Sequence, residues 1–248
     1  MVTPSIRLPI AVTSRFYIGI GLLIALMAVV GFWPTYFGPL LIGTLQTVPV
    51  IHFHATVYSG WLLLFIAQVV FASTGHLALH RKLGKVGIYY GFGLVIVGVF
   101  TALSRFASRV QAARLEEVQL PLAPIAPLSD MIVFPIFFGA AVLYRRKPEI
   151  HKRLMIVATT ILLIAAVGRM TFLGPPGFLN TPMPPLVFLV VWFSPILLAM
   201  GYDFITKRLI HPVYVIGLVG LFILRLRGYL GRTDSWADIS NWMATFVS

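Results

Sequence analysis

Seven long apolar stretches dominate this chain, and each is long enough for a helix to cross the hydrocarbon of a bilayer. Such a helix needs roughly 20 apolar residues, and runs such as "FYIGIGLLIALMAVVGFW", from Phe16 to Trp33, meet that length. Backbone polar groups in lipid must be bonded within the protein, which a helix does by itself. The predicted spans are residues 16–33, 51–72, 86–103, 129–144, 154–173, 184–202 and 212–228.

The composition places the whole chain in a bilayer. Hydrophobic residues make up 59% of it and the mean hydropathy is +0.94, which is more apolar surface than a core in water can bury. We therefore predict an all-α, polytopic transmembrane helix bundle in one domain, residues 1–248. Arg225 and Arg227 interrupt the last span and are expected to reach outward to the membrane surface, so a six-span bundle remains an alternative.

Charge and cysteine content narrow the classes of partner. The formal net charge is +12, but the basic residues fall between the apolar runs, where they contact lipid headgroups rather than nucleic acid. The chain has no cysteine. This excludes disulfides, thiolate metal sites, iron–sulfur clusters and covalently attached haem.

The distribution of Lys and Arg predicts the orientation. Loops rich in these residues are retained on the cytoplasmic side. With the N-terminus inside, the inner segments hold roughly twice as many Lys and Arg residues as the outer ones. We predict a multi-pass protein with its N-terminus inside and its C-terminus outside.

Two segments outside the spans have the pattern of interfacial helices. Residues 106–118 ("FASRVQAARLEEV") combine helix-forming residues with charges of both signs. Residues 235–247 ("SWADISNWMATFV") place their aromatic side chains along one helical face. Both are predicted to lie in the outer membrane interface.

Three histidines begin odd-numbered spans at one depth. His80, His151 and His211 occur in "LHRKLG", "IHKRLM" and "LIHPVY", and the first two form a weak internal repeat of His followed by two basic residues and Leu. A non-covalent b-type haem needs imidazole ligands from facing helices and cationic partners for its propionates. Arg81, Lys82, Lys152 and Arg153 are the candidates for the propionate partners.

Two other interpretations of these histidines stay open. His76 and His80, in "HLALH", have the i, i+4 spacing that puts two metal ligands on one helical face. Histidine next to Lys and Arg is also ordinary residue use at a membrane surface. In that case the bundle holds no cofactor.

The outer ends of the spans carry a second candidate site. His52 and His54 open the second span in "VPVIHFHATVYSGW" and, being two residues apart on a helix, cannot face one ligand. His54 shares a stripe with Tyr58 and Trp61, so it is the one expected to face the bundle. Ser129 or Asp130 is expected to cap the fourth span, and Asp130 is the nearest expected partner for Arg169 by depth. Such a site could bind an anionic headgroup, a quinone or a small acid.

The motifs resemble those of a family of uncharacterised bacterial inner-membrane proteins. The resemblance is carried by "HFH", Trp61, Gln68, "LHRKLG", "HKRLM" and "TDSWADISNWM", and it implies a location in the bacterial inner membrane. The "HRKLG" element is also similar to one in membrane proteins that resemble small b-type cytochromes.

Three hypotheses of function follow from the residues. The first is a redox protein that holds one haem b and exchanges electrons with a membrane quinone. The second is a metal-dependent enzyme acting on a lipid, and the third is a non-catalytic bundle such as a transporter, an accessory subunit or an assembly factor for other membrane proteins. No G-x-S-x-G elbow, nucleotide-binding loop or H-E-x-x-H motif occurs, which disfavours the corresponding hydrolases and nucleotide enzymes.

Overall fold

A computed structural model describes residues 10–170 and 183–247 of the chain, with side chains from Arg15 onward. Within these ranges every regular element is a helix. Seven helices are long and apolar enough to cross a membrane, and we number them as spans 1 to 7: Arg15–Leu41, Pro49–Ser73, Leu77–Leu115, Ile125–Leu143, Pro148–Arg169, Pro185–Lys207 and Pro212–Leu230. A separate C-terminal helix covers Asp234–Ala244.

The prediction of an all-α polytopic bundle is confirmed, with seven spans rather than six. Residues 171–173, the predicted end of the fifth span, lie outside the described residues. Span 7 bends between Arg225 and Arg227, where one helix ends and a short helical turn begins. The two arginines that made this span doubtful lie on either side of that bend.

Span 5 is the central helix of the bundle. Of its most apolar 18-residue window, 61% is buried inside the protein, the largest share for any span. It packs against spans 1, 4, 6 and 7. Polar residues at its start can therefore point into two different helix interfaces.

Glycine allows close helix contact where lipid provides no hydrophobic drive for association. Gly91 of span 3 is buried against Phe138 of span 4, and an added Cβ would lie 2.4 Å from that ring. Gly31 of span 1 lies against span 5, where an added Cβ would be 2.3 Å from the main-chain oxygen of Ala166. These glycines set the distances between neighbouring helices.

The predicted interfacial helix at 106–118 does not form a separate element. Span 3 continues without a break to Leu115 and has 39 residues, which is about 58 Å of helix against a hydrocarbon core of about 30 Å. No glycine or proline follows Gly98 in this helix, so nothing stops it at the membrane edge. The prediction of a flat, separate helix was wrong.

The C-terminal helix packs on this extension of span 3. Phe106 and Val110 form a small apolar core with Ala123 and Ala244. The guanidinium of Arg114 donates to the main-chain oxygens of Val247 and Ala244, at 2.6 and 2.9 Å. The segment predicted at 235–247 is thus a helix that contacts span 3 through one part of its surface, while Ile239, Trp242 and Phe246 of its predicted apolar face are exposed.

Large apolar side chains point outward along the spans. Leu63, Ile96, Ile132, Leu198 and Ile216 are each more than half exposed. Their exposure matches a protein whose outer surface contacts lipid chains rather than water. The chain is a multi-pass membrane protein.

The contact between spans 1 and 5 yields a first prediction. Gly31→Ala should lower the melting temperature of the detergent-solubilised protein, because its Cβ would overlap the backbone of span 5 and force the helices apart, at a cost of about 1 to 3 kcal/mol. Gly19→Ala is the matched control, because no atom lies within 4 Å of its added Cβ. Equal melting temperatures for the two variants would contradict this packing.

Candidate functional site

Two helical hairpins each present a histidine at the same end of the bundle. His80 begins span 3 directly after span 2, and His151 begins span 5 directly after span 4. The two imidazole rings are neighbours, with their centres 6.3 Å apart and their planes at 84°. We call His80 and His151 the imidazole pair. The end of the bundle at which they lie also carries Arg81, Lys147 and Lys207, and we call it the basic end.

The ring of His151 has a defined hydrogen-bonding partner. Its Nδ1 lies 2.8 Å from the main-chain oxygen of Ala141, in the last turn of span 4. A carbonyl oxygen only accepts, so Nδ1 carries the proton and donates. The lone pair of His151 is therefore on Nε2.

The ring of His80 is held in the same way by the preceding helix. Its Nδ1 lies 3.2 Å from the main-chain oxygen of Gln68, near the end of span 2. The side-chain amide of Gln68 offers a second arrangement: with its nitrogen towards span 3, it donates to Nδ1 of His80 at 2.7 Å and to the main-chain oxygen of the same residue at 3.0 Å. The first arrangement leaves the lone pair on Nε2, and the second places the proton there.

His211, the third predicted haem ligand, is not placed with the imidazole pair. Its Nδ1 accepts the main-chain N–H of Val213 at 3.3 Å and so caps span 7. The charges that act on it are those of Arg153, Asp203, Glu149 and Lys207. Depth alone suggested a cluster of three, but the packing of span 5 places His211 with a different set of residues.

Arg153 also points away from the imidazole pair. Positions 151 and 153 are about 200° apart around a helix. His151 accordingly faces spans 3 and 4, while Arg153 is 1% exposed and bonded to Asp203 of span 6. The prediction that Arg153 would serve a cofactor beside His151 is not supported by this geometry.

The remaining cationic residues differ in whether they are free to contact a haem propionate. Lys152 donates to Glu149 at 2.6 Å and lies 4.7 Å above the ring of Tyr17. Arg81 is exposed and follows His80 directly. Of the four predicted propionate partners, Arg81 and Lys82 are exposed, and Arg81 directly follows a member of the imidazole pair.

His76, the predicted partner of His80 in a metal site, lies at the N-terminal edge of span 3. His76 precedes the first turn of span 3 and is exposed, and its Nδ1 lies 2.8 Å from the hydroxyl of Thr74. Among the described residues, no group of three or more His, Asp or Glu side chains is arranged to hold a metal ion.

A buried network of charges occupies the other face of span 5. Nε of Arg153 donates to Oδ2 of Asp203 at 2.8 Å, and its Nη1 lies 2.9 Å from Oε2 of Glu149. Lys207 bonds to the same Glu149 carboxylate. The ion pair of Arg153 and Asp203 joins spans 5 and 6 inside the bundle.

Breaking this ion pair should destabilise the protein strongly. Arg153→Met leaves the Asp203 carboxylate buried without its partner, which costs about 3 to 5 kcal/mol. The double variant Arg153→Met with Asp203→Leu removes both charges and should recover most of that loss. Thermal unfolding in detergent measures both, and a double variant as unstable as the single one would contradict the assignment.

The cap of span 7 is sensitive to pH. Burial, and then the charge of Arg153, lower the pKa of His211 below its ordinary value of 6.5. The cap requires Nδ1 without a proton, and the neutral imidazole is the form favoured in the folded protein. The stability that depends on this cap is present above the ordinary pKa and is lost as the pH falls below it.

Replacing His211 by asparagine tests this dependence. Asparagine caps helices well and does not titrate. The melting temperature of the wild type should therefore fall more steeply below a pH of about 6.5 than that of His211→Asn. Parallel curves for the two proteins would exclude His211 as the source of the effect.

At the opposite end, His52 and His54 have different surroundings. His52 Nδ1 lies 3.0 Å from the hydroxyl of Tyr36, at the end of span 1. His54 stacks on Tyr58 with ring centres 4.2 Å apart, and its buried Nδ1 has no hydrogen-bond partner. Tyr58 reaches the main-chain oxygen of Leu94 in span 3 at 3.1 Å, so the stripe of His54 and Tyr58 faces the bundle.

The expected pairing of Asp130 with Arg169 was wrong. Asp130 is bonded to Arg227, whose side chain is 10% exposed and whose Nη1 also donates to Ser129 at 2.8 Å. Arg227 turns inward because the bend in span 7 brings it over the start of span 4. Arg169 donates to the main-chain oxygen of Ala165 at 2.8 Å and lies 4.9 Å above the ring of Phe32.

Three participants were missed from the sequence. Gln68 supports His80, Asp203 pairs with Arg153, and Arg227 pairs with Asp130. A signal existed for Asp203, because an acidic residue inside the apolar run "ILLAMGYDF" is costly in lipid and requires a partner. Gln68 and Arg227 depend on the angular position of each helix, which the spacing of polar residues does not give.

No protein-family model matches the chain, and no curated protein or solved structure matches it either. The functional assignment therefore rests on the residues described above.

Proposed function

We propose that this protein binds one non-covalent b-type haem between His80 and His151 and takes part in electron transfer within a bacterial inner membrane. The observation that carries the proposal is the imidazole pair, which joins two helical hairpins at the basic end of the bundle. Lipid-soluble quinone is the class of electron partner that fits this location.

The spacing of the rings supports the proposal. Two imidazole nitrogens bound to opposite sides of one metal ion, each at about 2.0 Å, place the ring centres roughly 6 Å apart. The observed separation of 6.3 Å agrees with that arrangement. Rings packed edge to face without a ligand also reach such distances.

The hydrogen bonds of both rings favour ligation. Histidines that bind metals nearly always donate their other ring nitrogen to a carbonyl or carboxylate, which fixes the tautomer and the ring orientation. His151 does so through Ala141, and Nδ1 of His80, 3.2 Å from the main-chain oxygen of Gln68, does so in one of its two arrangements. Haem binding at Nε2 of His80 requires that Nδ1 carries the proton and donates to the main-chain oxygen of Gln68. In that case the side-chain amide of Gln68 does not donate to Nδ1.

The number of protein ligands favours haem over a bare metal ion. A structural or catalytic zinc site takes three or four protein ligands, and the described residues contain no such group. A porphyrin supplies four nitrogen ligands of its own and needs only two axial ones. This also weighs against the metal-dependent lipid enzyme.

The surrounding residues have simple roles in this proposal. Haem iron carries one electron at a time between redox states tuned by its axial ligands and their surroundings. His80 and His151 would hold it, Gln68 and Ala141 would orient the two rings, and Arg81 would meet a propionate at the membrane surface. The non-catalytic bundle remains the alternative if no haem binds.

Haemin titration of the detergent-solubilised protein tests the proposal. The wild type should take up one haemin per chain and develop a low-spin absorption spectrum. His80→Ala and His151→Ala should each lose that spectrum, because each removes one axial ligand.

Two histidines provide matched controls. His76→Ala removes an imidazole four residues from His80, and His211→Ala removes one at the same end of the bundle from another helix interface. Both variants should keep the wild-type spectrum. Absence of binding to the wild type, or equal losses in all four variants, would overturn the proposal.

A further inference from the structure

The interior beside span 5 contains polar atoms that the protein itself does not satisfy. Among the buried side-chain atoms of the described residues, Oδ1 of Asp203 has no hydrogen-bond partner, and the hydroxyls of Tyr17 and Tyr214 have none but each other. Asp203 and Tyr214 are both 0% exposed. An unsatisfied polar atom in such a place costs about 1 to 3 kcal/mol, and more when it is charged.

These atoms belong to one cluster. Both tyrosines interact electrostatically with Asp203 and Arg153, and the guanidinium carbon of Arg153 lies 5.6 Å from the centre of the Tyr214 ring. Spans 1, 6 and 7 thus each contribute one polar oxygen to the surroundings of Arg153, and of the three only Oδ1 of Asp203 is without any partner. Nε and Nη2 of Arg153 both bond to Oδ2 of Asp203, which leaves Oδ1 as the free acceptor.

The chemistry of the three atoms matches a water molecule. A carboxylate oxygen accepts, and each phenolic hydroxyl both donates and accepts. A buried water typically makes about three hydrogen bonds to polar groups of this kind. A second cation is not required, because the Asp203 charge is already balanced by Arg153 and approached by Lys207 at 3.9 Å.

The cluster is also continuous with the surface. The side chain of Glu149, bonded to Arg153, is 54% exposed, and that of Lys207 is 46% exposed. Polar groups therefore extend from the solvent at the basic end to the buried pair, and a water molecule can exchange along them.

We propose that Asp203, Tyr17 and Tyr214 bind an internal water molecule that exchanges with solvent at the basic end of the bundle. The site lies across span 5 from the imidazole pair and does not depend on haem binding. It satisfies the free carboxylate oxygen and so supports the ion pair that joins spans 5 and 6.

Hydroxyl-radical footprinting by X-ray radiolysis tests this site in the intact, detergent-solubilised protein. Radicals formed from a bound internal water oxidise the side chains that touch it, even when bulk solvent does not reach them. Tyr214 should therefore be oxidised on short exposure. When the exposure is made in oxygen-18 water, the oxidised product should carry the oxygen-18 label.

Trp192 is the internal control in the same sample. It is also 0% exposed, its ring is more reactive than that of tyrosine, and its Nε1 is bonded to the main-chain oxygen of Thr160 at 2.8 Å. It should stay unmodified, which also shows that the sample is folded. A Tyr214 as inert as Trp192 would overturn the proposal.

A second variant tests the shared character of the site. Tyr17→Phe removes one hydroxyl and leaves the Arg153–Asp203 pair intact, so it should reduce the oxidation of Tyr214 while Trp192 remains protected. Unchanged oxidation of Tyr214 in this variant would also overturn a water shared by the two tyrosines.

Discussion

A polar side chain in the hydrocarbon of a membrane needs a partner inside the protein. The polar residues at the start of span 5 find theirs on neighbouring helices. Two residues at its start, His151 and Arg153, point in nearly opposite directions. One contacts the ends of spans 3 and 4, and the other bonds to span 6. These two sets of contacts connect span 5 to spans 3, 4 and 6.

The imidazole pair gives structural meaning to the repeated "LHRKLG" and "IHKRLM" segments. In each hairpin the histidine begins the second helix and its Nδ1 lies against a main-chain oxygen near the end of the first. Equivalent positions in the two hairpins thereby bring their imidazole rings together edge to face. The proposal of a haem site uses this symmetry, whereas the buried ion pair has no counterpart in the first hairpin.

The sequence predicted the number of spans and the end of the bundle at which histidines gather, because both follow from hydropathy and from depth along each helix. It did not separate His211 from His80 and His151, since depth does not specify which way a side chain points around the helix. The same limit explains Arg227, which was expected to reach outward and instead bonds to Asp130. Residues 106–118 were assigned to a flat helix because their charges are typical of a membrane surface, but the apolar residues among them pack on the C-terminal helix.

The central claim is that His80 and His151 bind opposite sides of one iron. Electron paramagnetic resonance of the oxidised, haem-loaded protein tests it most directly, because the signal of low-spin ferric haem depends on the angle between its two imidazole planes. The planes at 84° predict a strongly anisotropic low-spin signal that is absent from His80→Ala and His151→Ala. A high-spin signal, or the rhombic low-spin signal of parallel imidazoles, would contradict the account.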